Sequence, residues 1–286
     1  MRWVTVLTEQ GPRACGVLNG EYVDVNAADP SMPSSVRELL ALGPDWQRKI
    51  WEALPQGAVR HDPATAVHLA PVPDPRKIVC LGLNYRDHAA ESGMEPPSEP
   101  VLFSKYPTAL IGHGAEIVLP TVSDQVDYEA ELVIVVGQGG RHIPIDQAMS
   151  RVGGYAVGHD VSARDWQLNK PGKQWMAGKT FDTFAPVGPE LVTPDEVPDP
   201  NALGIRLRLN GQTMQDSNTK EFIFKVDYVI SYLSKIFTLE PGDLIFTGTP
   251  PGVGMARKPP VWLKPGDVAE VEIDGLGTLR NTVAAG

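Results

Sequence analysis

Asp127-Tyr128-Glu129-Ala130-Glu131-Leu132-Val133-Ile134-Val135-Val136 sets two carboxylates at the mouth of an unbroken apolar run. The five residues from Leu132 to Val136 predict a strand covered on both faces. Alternation along a strand sends the side chains at 129 and 131 out of the same face. Two anions therefore enter a core side by side, where each raises the other's pKa and loses hydration. A hard divalent cation restores the balance. All-oxygen ligands favour Mg2+, Mn2+ or Ca2+ over zinc, whose usual sites want His or Cys. An exposed Glu-x-Glu strand face is the ordinary alternative, since charged residues mostly stay in water.

A third carboxylate follows in Gly158-His159-Asp160-Val161-Ser162-Ala163-Arg164-Asp165. Asp160 ends a predicted strand over 154–159 and precedes a helix, so Asp160, Arg164 and Gln167 can point to one site. A surface pairing of Arg164 with an acid on its own helix is the plainer reading of that residue alone. The spacing of Ser162 and Asp165 predicts a capping box at this helix start.

Working outward, residues 2–25 predict a hairpin around the Asn19-Gly20 turn. A helix is predicted from the capping box Ser35-Val36-Arg37-Glu38. Residues 55–75 are broken by prolines and read as a linker, which puts a boundary near residue 72. Residues 1–72 are thus expected to form a small amino-terminal unit, and 73–286 the main body. In that body, strands are expected at 77–83, 116–119, 131–136, 154–159, 205–209, 244–246 and 268–273. An amphipathic helix is expected from Val226 to Phe237. The 27 prolines and 28 glycines imply many turns, hence a loop-heavy, β-rich fold.

The formal charge of −10, without any Lys/Arg run, excludes the electrostatic footprint of nucleic-acid or anionic-membrane binding. Cys15 and Cys80 are too few for a disulfide framework, and residues 1–8 lack a long apolar stretch. Both features lead to the expectation of a cytoplasmic protein.

His88 and Glu91 are three apart on a short helical pattern, the spacing that lets a carboxylate hold an imidazole as a general base. A surface pair is the alternative. Lys179, in Gly178-Lys179-Thr180-Phe181-Asp182-Thr183, is a cation able to stabilise an enolate, or else a partner of Asp182. The loop Phe246-Thr247-Gly248-Thr249-Pro250-Pro251-Gly252-Val253-Gly254 offers backbone N–H groups and hydroxyls to a substrate carboxylate. Trp166, Trp175 and Met176 are candidates for a pocket wall or for core contacts. There is no G-x-S-x-G, H-E-x-x-H or strand-coupled G-x-G-x-x-G.

Taken together, Asn84-Tyr85 to His88-Glu91, Tyr128-Glu129-Ala130-Glu131, Gly158 to Asp165, Gly178 to Thr183 and Gly248 to Gly254 resemble the fumarylacetoacetate hydrolase family, over about residues 76–283. The similarity is to the acylpyruvase and oxaloacetate decarboxylase-like branch. The resemblance implies a β-rich α+β fold: a mixed β-roll or sandwich catalytic domain with a small amino-terminal α/β domain, forming a homodimer. It implies Mg2+ or Mn2+ on Glu129, Glu131 and Asp160, a lid carrying His88 and Glu91, and substrate contacts from Arg164, Gln167, Lys179 and Thr249. The expected function is metal-dependent hydrolysis of a C–C bond in a small 2-oxo or 1,3-diketo acid. Oxaloacetate decarboxylation or keto–enol tautomerisation on the same site is the alternative, and a non-catalytic metal-dependent binding protein a more remote one.

Overall fold

The computed structural model describes residues 1–43, 45–91, 93 and 95–286, apart from the side chains of Gln47 and Lys173. The apolar run lies in the strand Ala130–Val136, every residue of which is buried. It pairs antiparallel with Val152–His159 on one side and Leu244–Phe246 on the other, so neighbours satisfy its backbone along both edges. Beyond Leu244–Phe246 come the strands Ile78–Gly82, in parallel, and Val101–Lys105. Beyond Val152–His159 come Ala185–Val192 and then Arg2–Thr8, Gly11–Leu18, Glu21–Asp24 and Arg60–His61. The amino-terminal segment and the body thus share one 12-stranded sheet, and their apolar side chains share one buried core.

A second sheet of five strands runs in the order Gln212–Asn218, Gly204–Leu209, Val268–Ile273, Gly277–Ala285, Glu116–Leu119. It packs against the centre of the large sheet, giving a β-rich α+β sandwich with few, short helices. The longest helix, Val226–Ile236, buries Val226, Val229, Ile230 and Leu233 and leaves Ile236 exposed. Among the described residues no helix is long and apolar enough to cross a membrane.

Several local readings change. The 2–25 segment is a three-stranded meander, with the Asn19-Gly20 turn in place at φ of 52° and 81° and another turn at Glu9-Gln10. The proline-broken 55–75 stretch contributes Arg60–His61 and Val67–Leu69 to the sheet. Ser35 stands at the start of the helix Val36–Ala41 but makes no capping bond. The helix Arg164–Asn169 has Ala163 at its N-cap. Ser162 is instead paired with Asp127 in a short ladder, and its hydroxyl donates to the Asp160 carbonyl at 2.9 Å.

Candidate active site

Glu129 and Glu131 straddle the start of the central strand, and the register sets Glu131 opposite Gly158. One residue past the neighbouring strand, the Asp160 N–H donates to the Glu129 carbonyl at 2.9 Å. Backbone pairing alone therefore brings the third carboxylate beside the first two. One oxygen from each of Glu129, Glu131 and Asp160 lies within 4.8 Å of the others, and all three side chains are buried.

Cations surround the trio unevenly. Lys179 Nζ donates to Glu129 Oε2 and to Asp160 Oδ2, both at 2.7 Å. Arg164 bridges Asp127 Oδ2 at 2.8 Å and Glu129 Oε1 at 2.6 Å, and donates to Gln167 Oε1 at 2.9 Å. Burial alone would raise the Glu129 pKa, but Lys179 and then Arg164 outweigh it and hold that carboxyl well below its ordinary range. Glu131 goes the other way. Burial, then Asp160 and Glu129, push its pKa well up, and its hydrogen bond comes from the Gly248 N–H at 2.8 Å. Burial pulls the Lys179 pKa down, yet Asp160 and Glu129 more than compensate and keep it an ammonium.

Lys105, buried, stands 2.7 Å from Asp160 Oδ1 but directs its protons to the carbonyls of Val161, Lys179 and Phe184. Asp160 Oδ1 is left without a hydrogen bond. The buried cluster holds four carboxyl groups (Asp127, Glu129, Glu131, Asp160) and three cations (Lys105, Arg164, Lys179), so one carboxyl group has no matching cation. That unmatched carboxyl group and the all-oxygen donor set fit a hard divalent cation.

Glu129 and Glu131 form one wall of a cavity of about 420 Å³ that also takes in His88, Glu91, Arg164, Gln167, Lys179 and Thr249. All nine expected site residues line it or, in the case of Asp160, stand directly behind it on Lys179. His88 and Glu91 lie on the helix Arg86–Glu91, with His88 Nδ1 3.2 Å from Glu91 Oε2. Glu91 also accepts from the Gly252 N–H at 3.0 Å. A carboxylate only accepts, so in the neutral imidazole Nδ1 carries the proton and Nε2 the lone pair. The helix is fastened at Ser217, whose hydroxyl donates to Asp87 at 2.6 Å, and at the Phe222 carbonyl, which accepts from Arg86 at 2.8 Å.

Two glycines make the cavity possible. A side chain at Gly178 would meet the Gln167 nitrogen at 2.4 Å, so the turn carrying Lys179 packs directly on the helix carrying Arg164 and Gln167. Gly248 has φ of +92°, which aims its N–H at Glu131. Trp175 lines the cavity, whereas Trp166 packs on Phe181 and Met176 accepts from Ser104. The reading of single residues missed Asp127, Lys105 and Gln215. Asp127 stood in the decisive stretch as the obvious acid for Arg164; the other two act only through tertiary contacts that no local pattern announces.

A family profile described as fumarylacetoacetate (FAA) hydrolase, C-terminal, matches residues 77–284. The chain is 48% identical over 264 residues to "Oxaloacetate tautomerase fahd2, mitochondrial" of Xenopus laevis, covering 92% of this chain and 83% of that protein. It is 46% identical to "Oxaloacetate tautomerase FAHD2A, mitochondrial" of Homo sapiens, with 92% and 84% covered. Among solved structures, the fumarylacetoacetate hydrolase of psychrophilic Exiguobacterium antarcticum is 35% identical with a TM-score of 0.87, covering 100% of both chains. A maleylpyruvate hydrolase from Sphingobium is 32% identical with a TM-score of 0.82, again covering 100% of both. These names correct the expected cytoplasmic address, because both relatives are named mitochondrial. A low cysteine count reports a reducing environment and does not say which compartment supplies it.

Proposed function

We propose, from the premise that this chain belongs to the fumarylacetoacetate hydrolase family and is one of its enzymes, that it interconverts the keto and enol forms of a small 2-oxo acid of the oxaloacetate class. What carries the choice is the similarity, over more than nine-tenths of the chain, to relatives named oxaloacetate tautomerase. It moves C–C hydrolysis, the first preference of the sequence reading, to second place, where the maleylpyruvate hydrolase structure keeps it.

Glu129, Glu131 and Asp160 would hold Mg2+, Mn2+ or Ca2+. Bound there, the ion supplies Lewis-acid polarisation of a carbonyl. The chain's own residues do the rest. His88 Nε2, whose lone pair Glu91 orients, takes a proton from the carbon beside the keto group and returns it to the enolate oxygen, which completes the enol. Lys179 spends two protons on Glu129 and Asp160 and keeps a third for the enolate oxygen. Arg164, Gln167 and Thr249 bind the carboxylates, and the apolar wall of Leu83, Phe103 and Trp175 limits water. The division at residue 72 and a homodimer belong to the same proposal; light scattering tests the latter.

The deciding experiment follows enol absorbance of oxaloacetate with Mg2+ present. Wild-type protein is expected to speed the approach to equilibrium, and His88→Ala to lose about 10²–10⁴-fold of that rate while binding Mn2+ normally. Release of pyruvate and CO2 at the rate of the absorbance change would replace tautomerisation by decarboxylation, and release of oxalate and acetate would replace it by hydrolytic cleavage. An unchanged His88→Ala rate would remove the base.

A further inference from the structure

Gln215 lies on the strand Gln212–Asn218, in the second sheet, and is 1% exposed. No sequence motif singles it out, yet it joins the two halves of the site. Its Oε1 accepts from the N–H of Ala130, the residue between Glu129 and Glu131, at 2.8 Å. Its Nε2 donates to Thr249 Oγ1 and to the Pro250 carbonyl, each at 2.8 Å. All three bonds agree on one orientation of the amide: a backbone N–H must meet its oxygen, and a backbone carbonyl must meet its nitrogen. Both protons of Nε2 are therefore committed, one of them to Thr249.

From this geometry we infer that Gln215 is a positioning residue that sets Thr249 as a hydrogen-bond donor facing the cavity. A threonine hydroxyl has one proton. With its oxygen already receiving a bond from Gln215, that proton is free to be given away, and among the described residues no protein acceptor takes it. Thr249 lines the same cavity as Glu129 and Glu131, so the acceptor is an anionic oxygen of the ligand, the carboxylate of a 2-oxo acid. A hydroxyl that accepts one strong bond also donates a stronger one. The same amide ties the loop to the backbone between the two glutamates, so the donor is kept in fixed register with them. This inference deepens the proposed function and rests on it for the identity of the acid.

The test uses oxalate, a non-reacting stand-in for a 2-oxo carboxylate, titrated calorimetrically into the full-length protein saturated with Mn2+. Gln215→Met keeps the shape and removes the amide. It is expected to weaken oxalate about tenfold, as for the loss of one hydrogen bond to a charged group, and to leave Mn2+ affinity within about twofold. Oxaloacetate KM should rise with kcat nearly unchanged. Thr249→Val should cost as much, Thr249→Ser should retain affinity, and the double variant of Gln215→Met and Thr249→Val should lose no more than either single one. Should Gln215→Met not fold, Gln215→Glu replaces it. That variant still accepts from Ala130 but draws the Thr249 proton to itself, and the same oxalate loss is expected. Losses that add, or unchanged oxalate affinity in the folded Gln215 variant, overturn the inference, as does wild-type protein that binds no oxalate. Wild-type protein that binds oxalate but leaves oxaloacetate untouched would sink the tautomerase reading alone, with the cycle still deciding the role of Gln215.

Discussion

Glu131 has no cation in direct contact among the described residues, while Glu129, two positions away on the same face, has two. The difference predicts opposite effects of one substitution on stability and on binding. Glu131→Gln keeps the volume and an acceptor for the Gly248 N–H, and removes a carboxyl whose ionisation burial, Asp160 and Glu129 all oppose. Without metal the variant should melt higher by at least about 3 °C, the shift expected for ~1 kcal/mol in a chain of this size. Mn2+ affinity should fall by more than the roughly 10–100-fold lost with an outer partner of a ligand. A lower melting temperature together with retained Mn2+ binding would show that Glu131 is stabilised as an ordinary ion-paired carboxylate. The trio was legible in the sequence because anions entering an apolar strand pose a problem only a cation solves. The counter-ions were less so: Arg164 and Lys179 meet acids distant in the chain, and for Lys179 the nearer acid, Asp182, was an equal alternative on spacing alone.

Periodicity located most elements because burial imposes it. The strands near 116–119, 131–136, 205–209 and 268–273 and the helix from Val226 stand where their apolar spacing put them. Elements whose reason for existing is a partner were not readable: Arg60–His61 and Val67–Leu69 are strands only because Glu21–Asp24 and Arg2–Thr8 offer them edges. The capping box expected at Ser162 fails for a related reason, since pairing with Asp127 holds Ser162 in a ladder before it can cap. The turn Met176–Lys179 is the element on which the site's geometry depends most, because it rests on the helix Arg164–Asn169 through Gly178 with no side chain between them. Gly178→Ala would place a methyl group 2.4 Å from the Gln167 nitrogen and 2.5 Å from the Ala163 oxygen, both backbone atoms that cannot swing aside. The expected cost is about 1–3 kcal/mol of stability, accompanied by weaker oxalate binding as Lys179 is lifted from Glu129 and Asp160. A melting curve that superimposes on wild type would mean the two turns separate freely, and that Lys179 is placed by its ion pairs alone.

At the scale of the whole molecule, the amino-terminal strands and the body meet along a seam that contains two imidazoles in contact. His68, on Val67–Leu69, and His113, just before Glu116–Leu119, have ring centroids 5.3 Å apart, and Tyr22 stacks edge-on against His68 at 5.4 Å. Glu190 faces His68, and Arg280 faces His113. Burial first, and for His113 then the other imidazole and Arg280, lower both pKa values in the folded protein, although Glu190 works against this at His68. The sign follows: the unfolded chain binds protons at these positions more readily than the folded one, so stability is full above about pH 6.5 and declines as pH falls below it. The slope is at most about 1.4 kcal/mol per pH unit for each proton, and less for groups this open to solvent. Denaturant midpoints between pH 7 and pH 5 measure it. His68→Phe keeps the ring against Tyr22 and removes one of the two titrating groups, so its curve should be the flatter of the two over that range. Because neither imidazole touches the acidic trio, Mn2+ and oxalate affinities at pH 7 should be those of wild type; parallel curves for the two proteins would instead place the acid sensitivity in groups other than this pair.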